Sequence, residues 1–171
     1  MRLLKALKGL FIGASAAAAA AAYGGAAIET NSLRLTLPDR WTPDLRSKPI
    51  SAKGPRGELL HLSSADLSGQ GSPQEKRAVM QKVEERALAA MQAAEKDSGF
   101  KVTTPLKTEK LPNGRNFHRS VATSRDGTKL LASFVAVGPQ TVVLATLDLP
   151  SSSVASIEAI EASLKGIQWL Q

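Results

Sequence analysis

The stretch from Ser72 to Gly99 constrains the rest of the chain more than any other. Ser72-Pro-Gln-Glu75 places an N-cap serine, a proline at the first helical position and a glutamate at the third, which together form a capping box. Behind it Val79, Val83, Ala87, Met91 and Ala94 recur at helical spacing, and Met80, Leu88 and Ala90 widen the stripe. Lys76, Lys82, Glu84 and Glu85 take the opposite side, and Gly99 supplies the stop after Ser98. The spacing predicts one amphipathic helix of about seven turns. A stripe that long cannot stay wet, so a second layer must cover it.

Strands are the layer on offer. Leu33, Leu35 and Leu37 alternate with polar residues, the pattern of a half-buried strand that ends at Pro38, with Trp41 placed to fold back on the core. Glu58 to Leu67 is the second firm strand, through Leu59, Leu60, Leu62 and Leu67. After the helix, Lys101 to Leu111, Asn116 to Ser124, Lys129 to Val137 and Gln140 to Leu149 are rich in Val, Thr, Phe and Leu. Asn113-Gly114, Asp126-Gly127 and Gly138-Pro139 separate them, and the first two favour the tight turns of hairpins. These runs predict an antiparallel meander. Pro150 and serines 151 to 153 open a second helix, whose apolar stripe is Val154, Ile157, Ile160, Leu164 and Ile167, and Trp169 closes its end against the sheet. The fold class is therefore α+β: an antiparallel twisted sheet of about six strands under a long central helix and a C-terminal helix.

The amino terminus reads as an export signal. Arg2, Lys5 and Lys8 precede an apolar run from Leu10 to Ala22, and small residues continue to Ala27. The run is too short and too alanine-rich to hold in a bilayer, whose core needs about 20 apolar residues. Cleavage after Ala22 or Ala26 fits the small-residue rule. Ala26 is preferred, giving a cleavable signal over 1–26 and one α+β domain over 27–171. No cysteine follows the run, so no lipoprotein anchor is expected, and the mature chain is expected in the periplasm or secreted. The chain contains no cysteine at all, which rules out a disulfide framework, thiol catalysis and a thiolate metal site. The formal charge of +7 includes three positives in the signal, and the remaining mild basicity is not a nucleic-acid footprint. Two tryptophans, one tyrosine and four phenylalanines are too few to stack single strands.

The element order and several short segments resemble the PsbP-like group, which includes the DcrB-like bacterial envelope proteins and Ran-binding relatives of the same fold. The matching residues are Leu33-Arg-Leu-Thr-Leu-Pro-Asp-Arg-Trp41, the central amphipathic helix, Thr141-Val-Val-Leu-Ala-Thr146, and the closing helix with Ile160 and Ser163-Leu164. The likeness spans most of residues 31 to 170. It implies an α/β/α sandwich and, since members of the group are mostly non-enzymatic assembly factors or binding modules, no catalytic residue. It transfers no functional residue.

Few residues suggest chemistry. His61 and His118 lie in different predicted strands and could meet, with Glu58 or Asp66, around zinc; no paired-ligand spacing supports this, and no metal is expected. No G-x-S-x-G motif follows the signal. Ser68 to Ser72 leads into a helix N-terminus but lacks a phosphate loop's Gly-Lys-Ser/Thr, and Glu75 competes for the same positive end. The carboxylate pairs Glu84 with Glu85 and Glu158 with Glu161 are read as solvated helix faces. No cofactor is called for.

The most suggestive feature is a basic segment between Asp39 and Gly57, broken by Pro43, Pro49, Gly54 and Pro55, with room for a short strand near Ile50. Arg40, Arg46, Lys48, Lys53 and Arg56 face only Asp39 and Asp44, so this loop is the candidate binding patch. A second cationic set, Lys107, Lys110, Arg115, Arg119, Arg125 and Lys129, lies on the hairpins, and a shared face would favour binding. The expectation is a non-catalytic exported binding or assembly module acting on a protein partner or an anionic envelope surface, in one version an immunity or accessory protein of a secretion system. The competing reading is a carrier of a small apolar or amphipathic ligand held between the helices and the sheet. An enzyme built on His61 or His118 would require either one to meet a carboxylate in a cleft.

Overall fold

The computed structural model describes residues 25–67 and 72–170. The export signal over 1–26 therefore lies almost wholly outside the described residues, as do Ser68 to Gly71. Ten strands and two helices follow in order: β1 (Ala27–Glu29), β2 (Leu33–Thr36), β3 (Thr42–Asp44), β4 (Ile50–Lys53), β5 (Leu59–Asp66), α1 (Pro73–Ser98), β6 (Lys101–Lys110), β7 (Asn116–Thr123), β8 (Lys129–Val137), β9 (Thr141–Pro150), α2 (Ala155–Lys165) and β10 (Gln168–Trp169). A 3-10 turn over Ser151–Ser153 leads into α2.

The predicted meander forms: β6, β7, β8 and β9 lie side by side, and β5 joins β9 to carry the sheet on through β4 to β3. Every ladder in this seven-stranded sheet is antiparallel. Its hairpin turns are longer than a two-residue Asn-Gly or Asp-Gly turn. Gly114 and Gly127 each follow a turn closed to Leu111 and Ser124, and each has a positive φ (79° and 70°) that only glycine takes without strain. The first predicted strand does not join this sheet. Leu33–Thr36 pairs with β1 on one side and β10 on the other, forming a separate three-stranded sheet.

Period-two alternation sorts side chains between the two faces. On one face Phe117, Val121, Ala132, Phe134, Val143, Ala145 and Leu147 meet Ile157, Ile160 and Leu164 of α2 and Leu33, Leu35 and Leu37 of β2 and its continuation. On the other, Val135, Val137, Val142 and Leu144 meet Ala87 and Met91 of α1. The result is the expected α/β/α sandwich, with the small sheet sharing the α2 layer. Full burial of a side chain such as Leu147 contributes about 1.5–3 kcal/mol, so the α2 face holds most of the apolar stabilisation.

Both helices begin later on their partners than the sequence pattern predicts. Val79 is 47% exposed, because the first turns of α1 precede its contact with the sheet, and the buried stripe starts near Val83. Val154 is 58% exposed as the residue that caps α2 rather than a member of its stripe. Trp169 packs as predicted, and it does so on Gly138: a side chain there would run into the indole ring.

Candidate functional site

The basic segment is a β-hairpin at the sheet's edge, not a loop with one short strand. The strand expected near Ile50 forms as β4, and Pro43 hid its partner β3; they pair as Thr42 with Lys53 and Asp44 with Ser51. This register divides the five candidate cations. Arg46 and Lys48 sit in the β3–β4 turn, where Asp44 accepts from the Arg46 backbone N–H at 3.0 Å. Lys53 lies at the opposite end of the hairpin, with Arg56 in the following turn and Arg40 just before β3. All five are exposed, and among the described residues none takes part in an ion pair. Arg40 holds a positive φ of 66°, a conformation that costs an L-residue about 1–2 kcal/mol.

Under the Arg56 turn lies Glu58, which is 1% exposed. Its carboxylate accepts from Ser156 Oγ at 2.7 Å, in the first turn of α2, and from the Arg56 backbone N–H at 2.7 Å. Burial alone would raise its pKa, but these hydrogen bonds and the Arg56 charge outweigh that and hold it below the usual glutamate value. The cationic turn is thereby tied to the core.

Lys107, Lys110 and Arg119 of the second cationic set do not join the first. Lys107 and Lys110 lie on β6, the opposite edge of the sheet, six strand spacings of about 4.8 Å from β3, or roughly 29 Å. Arg119 is spent on Glu161, and Lys165 bridges Glu161 at 2.8 Å and Glu109 at 2.6 Å. Glu161 is thus no solvated carboxylate. Its side chain is 15% exposed, and although burial pushes its pKa up, the Lys165 and Arg119 partners pull it below the ordinary value.

The histidines share the α1 face but stay apart. His61 lies on β5 and His118 on β7, three strands and roughly 14 Å away. Glu58, just before β5, serves α2, and Asp66 at the end of β5 accepts from Thr141 Oγ1 at 2.9 Å. The zinc arrangement therefore does not assemble, and no group of three or more potential ligands occurs among the described residues. Burial pushes the His61 imidazole below its usual pKa despite the nearby Asp148.

His118 does meet a carboxylate, and it is one read as solvated. Glu84 Oε1 lies 2.6 Å from His118 Nε2 and accepts from Asn116 Nδ2 at 2.9 Å, while His118 Nδ1 lies 2.9 Å from Thr108 Oγ1. The imidazole is 3% exposed and both its nitrogens are engaged, so no substrate reaches it. It fastens α1 to β7. Glu95 makes a second such fastening through Ser120 three turns along the helix. The signal was present in the sequence: Glu84, Ala87, Met91 and Glu95 are spaced by three and four residues, which puts both acids on the buried side.

Beside Glu84 runs an open groove of about 420 Å³, lined by Arg77, Met80, Gln81, Glu84, Leu88 and Asn116, with Glu85 at its side. The helix start nearby is closed to anions. The Ser72 backbone N–H donates to Glu75 Oε2 at 2.8 Å, and the Glu75 N–H donates to Ser72 Oγ at 3.3 Å, completing the capping box. No helix among the described residues is long and apolar enough to cross a membrane.

No protein-family model matches the sequence, and no curated protein matches it. Among solved structures, the solution structure of cyanobacterial PsbP (CyanoP) from Synechocystis sp. PCC 6803 matches with a TM-score of 0.51 and 8% identity. The match covers 89% of this chain and 98% of that one. The fold is PsbP-like, as the sequence resemblance implied. At that identity the likeness is one of fold alone.

Proposed function

We propose that the protein is an exported, non-catalytic binding or assembly module that meets another envelope component through the β3–β4 hairpin. The observation that carries this reading is the state of its cations. Arg34, Arg119 and Lys165 are spent on internal partners, whereas Arg40, Arg46, Lys48, Lys53 and Arg56 are exposed and outside the ion pairs of the described residues; Lys107, Lys110, Arg125 and Lys129 are too, but only the first five gather about one hairpin, which Glu58 braces. Charges left free on a braced edge favour encounter with an acidic surface, with an attraction screened beyond about 10 Å at 0.1 M salt. A protein partner in the periplasm is the preferred counterpart, and an immunity or accessory role in a secretion system is one form of it.

The test is chemical crosslinking in the envelope of the protein's own host, followed by mass spectrometry. Wild type should yield crosslinks from the hairpin to one partner at fixed stoichiometry. The combined Arg46→Gln, Lys48→Gln, Lys53→Gln and Arg56→Gln variant should lose them while keeping its fold by circular dichroism. Equal recovery with the folded variant would overturn the proposal.

The carrier reading has its own support in the groove beside Glu84. Its position differs from that expectation, since it lies open at the surface rather than between the layers.

A further inference from the structure

We infer that the groove between the first half of α1 and the start of β7 binds a zwitterion of one or two amino-acid residues with free termini. Its lining carries both signs of charge on an apolar floor: Arg77 toward one end, Glu84 and Glu85 toward the other, with Met80 and Leu88 between and beyond them. A ligand bearing only one charge would leave the opposite group facing it. A zwitterion on an apolar body satisfies both.

The carboxylates are held in place before any ligand arrives. Asn116 Nδ2 and His118 Nε2 converge on Glu84 Oε1, at 2.9 Å and 2.6 Å, and Oε2 makes no hydrogen bond among the described residues. Gln81 Nε2 donates to Glu85 Oε1 at 3.0 Å one turn away. Fixing a recognition group beforehand reduces the ordering cost of binding. The buried His118 behind Glu84 does this here, so the hydrogen bond that fastens α1 to β7 has a second consequence.

Spacing sets the size. Arg77 and Glu84 are seven residues apart on one helix face, a rise of about 10 Å. A single amino acid with a hydrogen bond at each end spans about 9 Å and two residues about 13 Å, so a separation of about 10 Å admits a zwitterion of one or two residues. The ammonium end lies toward Glu84 and the carboxylate toward Arg77. A groove of about 420 Å³ is within the range of small-ligand sites. The site is independent of the β3–β4 hairpin, and neither reading needs the other.

Calorimetric titration of the full-length protein tests this with four probes at millimolar concentrations: the dipeptide Ala-Leu, its N-acetyl form, its C-terminal amide, and free leucine. Ala-Leu should bind, with each blocked form weaker by about tenfold or more, since each has lost one charge-assisted contact. Leucine, the shorter zwitterion, should bind as well. Arg77→Gln changes an exposed residue, so it should fold normally and remove the penalty for the amide while leaving the penalty for acetylation. Glu84→Gln should do the converse, with circular dichroism checking that α1 stays docked. Binding of the blocked forms as tightly as Ala-Leu would overturn the inference by showing an apolar groove without charge recognition. No heat and no amide shift with Ala-Leu would overturn it as well.

Discussion

On the α2 face of the seven-stranded sheet the apolar cluster gathers 21 buried side chains from strands, helix and the small second sheet; on the α1 face it gathers six. The α1 face makes up part of the difference with polar fastenings, Glu84 to His118 and Asn116 and Glu95 to Ser120, placed on either side of Ala87 and Met91. Apolar area stabilises without regard to direction, whereas a hydrogen bond exchanges one made with water for one made with protein and nets only about 1 kcal/mol. One layer is thus held by bulk and the other by placement. The layer held by placement carries the groove, and elements that adapt to ligands tend to come from the less stable part of a fold.

The largest effect that separates the faces comes from truncating one buried side chain on each. Phe134 is fully buried and packs on Phe117 with ring centroids 6.1 Å apart, so Phe134→Ala should cost about 3–5 kcal/mol in urea denaturation. Met91→Ala on the α1 face should cost about 2 kcal/mol, because a helix resting on a narrow patch can settle into the gap. Amide exchange read on the same proteins should show α1 opening locally well below the global free energy, with β8 and β9 exchanging only on full unfolding. Equal losses for the two variants, or α1 as protected as β9, would abolish the distinction between the faces.

The sequence showed one side of this contrast more clearly than the other. Leu33, Leu35 and Leu37, the capping box at Ser72 and the meander were all legible because each is a local pattern with a fixed period. The three-stranded sheet was not, since β10 is two residues long and finds β2 across most of the chain. Pro43 suppressed the strand pattern in β3, although it is tolerated on an edge strand, and Pro49 and Gly54 bound β4 closely on either side. Polar character misled most on the helices. Glu84 and Glu161 look like solvent-facing acids until the strand opposite each is known, and His118 and Arg119 are neighbours on β7 that point to opposite faces and take one acid each. Of the binding patch, the identities of the five cations were legible, but their division between two ends of a hairpin depended on register.

A buried carboxylate on each face allows a sharper comparison. Glu58→Gln leaves an amide where two donors converge, and should cost about 1–2 kcal/mol at neutral pH. The pKa of Glu58 is lowered in the folded protein, so its contribution is complete above the ordinary glutamate value of about 4.3 and is lost as pH falls through the lower folded value. The gap between wild type and variant should therefore be full at neutral pH and close under acid conditions, as followed by urea midpoints across pH. A gap that stays constant with pH would mean that Glu58 acts through shape rather than charge.

The smallest effect should carry the opposite sign. Arg40 pays for a left-handed backbone at the turn into β3, next to the buried Trp41, and nothing among the described hydrogen bonds or ion pairs of its side chain offsets that cost. Arg40→Gly should raise stability by about 1 kcal/mol, since glycine adopts this conformation freely and removes no internal contact. Strain retained at an exposed cation is informative because it survives only where the surroundings over-determine it, and such sites cluster where function resides. The same variant should then weaken crosslinking of the hairpin to its partner while the protein itself becomes harder to unfold. A more stable protein that crosslinks as well as wild type would assign Arg40 to the turn alone, leaving Arg46, Lys48, Lys53 and Arg56 as the binding set.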